Sequence, residues 1–206
     1  MKTGTLITIE GIDGAGKTTL AKSLDAALRA RGLDVQLLRE PGGVRAAERL
    51  RELVKDPELH IGARAEALLY AAARAQLVEE ALEPLLARGA WVLLDRFVDS
   101  SLAYQGAGRE LGIDAVREIN AFATGGLTPD RTLLLTLRPA LGRERSRARE
   151  VPLDRLEREH DDFHARIADA YARLAAADPG RIRAIDATQP PERVLDAALD
   201  ALSDLL

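Results

Sequence analysis

The sequence predicts an α/β fold, a five-stranded parallel sheet with helices packed on both faces. Two observations carry that expectation. Short apolar runs alternate with longer amphipathic segments along the whole chain. A glycine-rich segment also joins the first apolar run directly to the first amphipathic one. At 206 residues and 47% apolar content, the chain is long enough to bury the core such a sheet needs, and a single domain over 1–206 is the simplest organisation.

The elements follow in order. Leu6–Glu10 (LITIE) reads as a strand that begins near Thr5, and Lys17–Arg31 as a helix stopped by Gly32. Val35–Arg39 (VQLLR) is a second strand, and Ala46–Lys55 a helix that ends before Pro57. Ala63–Ala87 is a long alanine-rich helix in which Pro84 sets a kink or an early stop. Trp91–Asp95 (WVLLD) is an apolar strand ending in a carboxylate, followed by a helix over Asp114–Ala123. Thr132–Leu137 (TLLLTL) is the fourth strand. Ala140–Arg149 and Leu156–Ala177 are helices separated by a polar, proline-containing break. Ile182–Asp186 (IRAID) is the fifth strand, and Glu192–Leu206 a closing helix after Pro190 and Pro191.

Composition removes several function classes. No cysteine is present, which excludes disulfides, thiolate catalysis and cysteine-ligated zinc. The net charge of −4 argues against nucleic acid as a partner. No apolar stretch approaches the ~20 residues needed to span a bilayer, and no signal segment precedes the first strand, so a cytoplasmic protein without a membrane partner is expected. His60, His160 and His164 show no metal-ligand or triad spacing and read as surface residues.

Gly11–Thr18 reads GIDGAGKT, the G-x-x-x-x-G-K-[ST] pattern of a phosphate-binding P-loop between a strand and a helix. Its glycines let the backbone approach phosphates, its N–H groups and the helix N-terminus face the anion, Lys17 adds a charge, and the Thr18 hydroxyl can ligate Mg²⁺. The fold expectation sharpens to a P-loop NTPase-type three-layer fold, with Gly11, Ile12, Asp13, Gly14, Ala15, Gly16, Lys17, Thr18 and Thr19 as the ATP-binding segment. No N-K-x-D guanine-reading motif is present, which lowers the GTPase reading. Asp13, a carboxylate beside a triphosphate, has two readings: acceptor of a hydrogen bond from a second substrate's sugar, or a turn aspartate bonded to its own backbone.

Further candidates cluster after strands. Asp95 ends an apolar strand where it can join a Mg²⁺ shell, and Arg96 beside it can pair with phosphate oxygens; the alternative is a surface ion pair. Arg39–Gly43 (REPGG) is either a turn aiming Arg39 at the site or a turn with a solvated arginine. Tyr70 and Arg74, one helical turn apart, can stack on and hydrogen-bond a base, or be a core tyrosine and a solvated arginine. Ser100, Ser101, Tyr104 and Gln105 in SSLAYQG suit the polar edge of a nucleobase or sugar, or form a helix cap with Asp99 or Ser100 at its head.

Taken together, EGIDGAGKTT, REPGG, LLYAAARAQ, DRFVDSSLAYQG, the TPD before the fourth strand and IDATQPPE resemble the thymidylate kinase (dTMP kinase) family over nearly the whole chain. The resemblance implies transfer of the ATP γ-phosphoryl to dTMP, Mg²⁺ as cofactor and a homodimer. It places Asp13 at the deoxyribose 3′-hydroxyl, Arg39 and Arg96 at the acceptor phosphate, Tyr70 stacked on thymine with Arg74 hydrogen-bonded to it, Ser100, Ser101 and Gln105 near the base edge, and Tyr104 near C2′. Tyr70 stands where phenylalanine is usual, Val44 where threonine commonly follows REPGG, Ala73 in place of a common aspartate, and Thr136 in place of the aspartate of a common strand ending. Glycine at position 14 matches the bacterial-type arrangement, in which arginines of a lid supply positive charge. Here the lid is about 143–155, with Arg143, Arg145, Arg147, Arg149 and Arg155. Arg149, or its neighbours Arg147 and Arg155, is expected to close over ATP, and Lys17, Arg39, Arg96 and Arg149 form the expected catalytic set.

The acceptor on this reading is itself a phosphate with second pKa near ~6, so it needs no general base. A kinase acting on a hydroxyl would want one, and Asp13 or Glu10 could serve; a nucleoside kinase is the runner-up. A regulatory P-loop protein without a small-molecule acceptor is the rival from another class.

Overall fold

The structure, a computed structural model, describes residues 3–148 and 154–206. Five parallel strands, β1 (Thr5–Gly11), β2 (Val35–Arg39), β3 (Trp91–Asp95), β4 (Arg131–Thr136) and β5 (Ile182–Asp186), form one sheet in the order β2-β3-β1-β4-β5. The strand sequences reflect that order. Central strands of a parallel sheet are covered on both faces and need continuous apolar runs. WVLL of β3 and TLLL of β4 are accordingly buried throughout, whereas edge strands β2 and β5 leave most positions partly or fully exposed.

The helices are α1 (Lys17–Ala30), α2 (Arg45–Lys55), α3 (Ala63–Leu77), α4 (Glu83–Ala87), α5 (Val98–Ser101), α6 (Ile113–Thr124), α7 (Pro139–Arg147), α8 (Asp161–Ala177) and α9 (Pro191–Asp200). Helix α1 buries Leu20, Ala21, Leu24 and Leu28, a stripe spaced by turns of the helix, against the sheet. Leu77, Val78, Leu82 and Leu86 join Leu6, Val92, Leu94 and Phe97 in a second apolar cluster.

Pro84 does not end the helical run, which continues to Ala87. Its missing N–H is absorbed by a π-helical stretch, Val78–Leu82, that leads from α3 into α4 and puts Pro84 in the first turn of α4, where no donor is needed. A second π-helical stretch, Leu102–Gly108, continues α5. Asp99 and Ser100 lie inside α5 rather than capping it; Phe97 occupies the cap position. Helix α8 begins five residues later than expected. Asp154 instead folds the chain into a turn by accepting the N–H groups of Leu156 and Glu157, and Asp161 and Asp162 take the first helical turn, where carboxylates complement the helix dipole. The closing helix ends at Asp200 and turns follow it.

Register positions the site. Arg39 and Ile9 both pair with Asp95, so the C-terminal ends of β2, β3 and β1 open on one edge of the sheet. That edge is where open α/β sheets bind ligands.

Candidate active site

The P-loop leaves β1 at Gly11 and enters α1 at Lys17. Gly11, Gly14 and Gly16 hold φ of 136°, 77° and 95°, conformations open to glycine and costly for other residues. Lys17 folds over the loop and donates from Nζ to the carbonyls of Gly11 and Ile12, each at 3.0 Å. Burial, reinforced by the Arg96 charge, pushes its ammonium down to about 8. The Thr18 hydroxyl donates to Asp95 Oδ2 at 3.2 Å, joining residues 77 positions apart. Two hard oxygen donors beside a phosphate loop suit Mg²⁺, which keeps waters and phosphates for its other positions. Among the described residues no group of three or more His, Cys, Asp or Glu could hold a metal alone.

Arg96 sits at φ 70°, an uncommon conformation for a side-chain-bearing residue that costs on the order of 1 kcal/mol or more. The bend turns its guanidinium back over the P-loop. There it donates to Asp13 Oδ1 (2.6 Å), Ser100 Oγ (3.0 Å), Tyr104 Oη (3.1 Å) and the Gly11 carbonyl (3.2 Å), and lies 4.8 Å from the Tyr104 ring centroid. Tyr104 donates in turn to Asp13 Oδ2 at 3.0 Å. Burial alone would raise the Asp13 carboxyl, but the Arg96 and Lys17 charges and the Tyr104 hydroxyl hold it well below the carboxylate range. Asp13 is therefore tied to side chains of the opposite wall and not to its own turn.

Glu10 anchors this wall from beneath. It is fully buried at the penultimate position of β1 and accepts Phe97 N (2.7 Å) and Ser100 N (3.2 Å) on one oxygen, Ser100 Oγ (2.5 Å) and Tyr171 Oη (2.8 Å) on the other. Burial and the Asp99 charge push its carboxyl up, against the Ser100 hydrogen bond. Glu10 thus fixes the turn carrying Arg96 and the start of α5, a role the sequence reading weighed only as a general base.

Arg74 is not solvated; it is 2% exposed. It donates to Glu40 Oε2 from Nε (2.8 Å), to Ser101 Oγ (2.9 Å), to Asn120 Oδ1 and to the Phe97 carbonyl (2.9 Å), with a second contact to Glu40 Oε2 from the terminal nitrogen at 2.6 Å. Burial pushes the Glu40 carboxyl up to about 7, despite Arg74. Glu40 Oε1 is buried with no hydrogen-bond partner. Gln105 donates to Glu66 Oε1 at 2.9 Å, and Tyr70 is half-buried, its hydroxyl pushed up by burial and by the charges of Glu66 and Asp154.

These groups share one cavity of about 920 Å³. Its wall includes Asp13 to Thr19, Arg39, Tyr70, Arg74, Asp95, Arg96, Ser100, Ser101, Tyr104 and Gln105. Of the sequence candidates, Gly11 and Ile12 lie beneath it, Ile12 in the core. Arg149 lies outside the described residues. Arg39 is paired with Glu48 at 3.0 Å; Glu48 also accepts Gly43 N (2.9 Å) and so ties the REPGG turn to α2. Arg51 was missed. It also lines the cavity and donates to the Pro41 carbonyl at 2.9 Å. Its spacing of twelve from Arg39 carries no local signal.

The lid stem corrects two expectations. Arg155 does not reach over the nucleotide side. It is drawn to the buried carboxylate of Glu66 at 2.7 Å and donates from Nε to the Val54 carbonyl at 3.0 Å, while Lys55 and Asp154 pair at 2.6 Å. Glu66 is fully buried and also pairs with Arg109, so a second cation offsets the cost of its desolvation. Arg145 does line the cavity and donates to the Ala187 carbonyl at 3.0 Å. His164, expected at the surface, is buried against Phe163, and burial pushes its imidazole down.

A phosphate loop at a sheet edge, opening into one cavity that Arg96 and Arg39 also line, defines the P-loop phosphotransferase class. Comparison with known proteins narrows the class. The profile described as thymidylate kinase matches residues 9–198, and the chain belongs to that family. It is 51% identical over 194 residues to the thymidylate kinase of Deinococcus radiodurans, covering 94% of each chain. It is 51% identical to that of Oenococcus oeni, covering 100% of this chain and 98% of the relative, and 47% identical to that of Rhizorhabdus wittichii, covering 98% and 99%.

Proposed function

We propose that this protein transfers the γ-phosphoryl group of ATP to dTMP, giving ADP and dTDP. The observation that carries the reading is the shared wall: Asp13 belongs to the phosphate loop and is bonded to Arg96 and Tyr104 of the acceptor half. The loop amides and Lys17 hold the donor phosphates. Arg96, fixed by Asp13 and Ser100, meets the acceptor phosphate, and Arg39 and Arg51 stand on the same side of the cavity. Tyr70 stacks on the base, Gln105 and the serines face its edge, and Arg74 holds the floor beneath it through Glu40 and Ser101. Tyr104 crowds the sugar beside Asp13.

Mg²⁺ would be held by Thr18 and Asp95 and would neutralise phosphate charge. Positioning and charge neutralisation do the rest, since the acceptor arrives largely dianionic. The nucleoside-kinase alternative loses ground here. Asp13 is held too acidic to be an effective base, and all of Glu10's oxygens are committed beneath the site.

The chain works as one phosphotransferase unit with a lid over 143–155 that includes Arg149. No helix among the described residues is long and apolar enough to cross a membrane. A second copy of the chain is the proposed partner. Phe122 on α6 is 92% exposed, with Leu68 of the adjoining α3 also exposed, and a homodimer contact would cover them. Light scattering on Phe122→Asp should then report a monomer.

The test of the activity is dTMP-dependent ADP release from Mg·ATP with dTDP resolved by chromatography. Equal ADP release with and without dTMP would sink the assignment.

A further inference from the structure

Helix α7 and the phosphate loop meet backbone to backbone. A Cβ placed on Gly14 would stand 2.1 Å from the carbonyl oxygen of Gly142. One placed on Gly142 would stand 2.6 Å from the carbonyl oxygen of Asp13 and 2.9 Å from Ile12 Cδ1. The two glycines have different reasons. Gly14 holds φ 77°, so its backbone favours glycine whatever surrounds it. Gly142 lies inside α7 without a positive φ, where glycine weakens a helix relative to alanine. The space against the loop is what its missing side chain provides.

Other contacts hold the same helix in place. Arg145 donates to the Ala187 carbonyl beyond β5, and Arg143 pairs with Asp161 at the head of α8. Arg143, Arg145 and Arg147 follow the contact by one, three and five residues.

We propose that Gly142 is a positioning residue for the nucleotide: its bare backbone seats the lid stem on the phosphate loop, so that the loop amides and the arginines of α7 are set as one unit. The inference rests on the phosphate loop binding ATP as proposed above. A methyl group at 142 meets the Asp13 carbonyl, which no side-chain rotation can move aside. Either the Ile12–Gly14 backbone or the helix must shift. The disturbance falls first on the loop amides of the donor half and reaches the acceptor half only through the Asp13 side chain, while Tyr70 and Gln105 sit on α3 and on the stretch after α5.

The test uses the full chain with Gly142→Ala, and with Ala140→Gly as a second variant that makes the reverse exchange at an exposed position of the same helix. Calorimetry measures Mg·ATP affinity without acceptor; steady-state assays measure KM for ATP and for dTMP separately; Tm reports the fold. For Gly142→Ala, Kd and KM for ATP should rise about tenfold or more, with a clearly smaller rise in KM for dTMP, passed on through Asp13. Its Tm should fall by no more than a few degrees, because alanine's better helix propensity offsets part of the cost of the shift. Ala140→Gly should leave ATP affinity within about twofold of the parent. Unchanged ATP affinity in Gly142→Ala overturns the proposal. So does an equal rise in both KM values with a Tm loss larger than that, or an equal loss in Ala140→Gly, since either marks a merely structural role. A parent protein that binds Mg·ATP but shows no dTMP-dependent turnover overturns the acceptor assignment alone and leaves the calorimetric comparison valid.

Discussion

The donor half of the cavity is built from backbone and the acceptor half from buried side chains. In the phosphate loop, three glycines at positive φ, consecutive N–H groups and a helix terminus make up most of the surface, with Lys17 and Thr18 among its polar side chains and Asp95 bonded to Thr18. Across the cavity, Arg74, Glu40, Glu66, Gln105 and Glu10 are each nearly or fully buried and bonded to partners far off in sequence. A backbone site tolerates almost no change of shape but stores little charge. A buried side-chain network holds a pocket open with charged groups that are costly when left unpaired. Mutations in the first half should cost activity with little stability, and those in the second should cost both.

The largest separation is expected at Lys17. Lys17→Ala should lower kcat/KM for ATP about 10³-fold, roughly 4 kcal/mol of transition-state stabilisation, with little change in the urea midpoint. Arg74→Leu should behave in the opposite way. It leaves Glu40 buried without its cation, and equilibrium unfolding should show about 3–5 kcal/mol of lost stability. A marginal loss there would mean that the acceptor floor is not held by charge, and the contrast between the halves would fail.

Thr18→Ala sharpens the donor side. It should lower kcat/KM about 10–100-fold and raise the Mg²⁺ concentration needed for half-maximal rate, with Thr18→Ser restoring both. A titration with pH reads Lys17 directly. Its ammonium lies at about 8 in the nucleotide-free protein, so kcat/KM for ATP should fall as pH rises through about 8, where the charge on Lys17 is lost. The linked effect on stability has the opposite sign. Between about 8 and the ordinary lysine value of 10.5 the unfolded chain binds more protons than the folded one, so stability gains from this group as pH rises. The smallest effect is expected at Glu48→Gln, because its pair with Arg39 is solvent-exposed: a stability change within about 0.5 kcal/mol.

The same contrast explains what could be read before the structure. The P-loop and the DRF segment are contiguous motifs next to apolar strands, so their place at the sheet edge was legible, as was the five-strand architecture itself. Buried carboxylates were not. Glu10, Glu40 and Glu66 look like ordinary polar positions until residues 34 or more places away supply their donors. Arg155 was misplaced for that reason: its position among lid arginines suggested the nucleotide, and a fully buried Glu66, 89 positions earlier, draws it to the other side. The late start of α8 follows the turn made by Asp154, which no helical periodicity reveals.

The central claim is that phosphoryl transfer here needs alignment and charge but no general base. It is tested most directly by offering dTMP and thymidine separately to the purified protein with Mg·ATP and measuring ADP release for each. Turnover with dTMP and none with thymidine is the predicted result. Turnover with thymidine and none with dTMP would contradict the account, and would require a carboxylate of this site to act as a base.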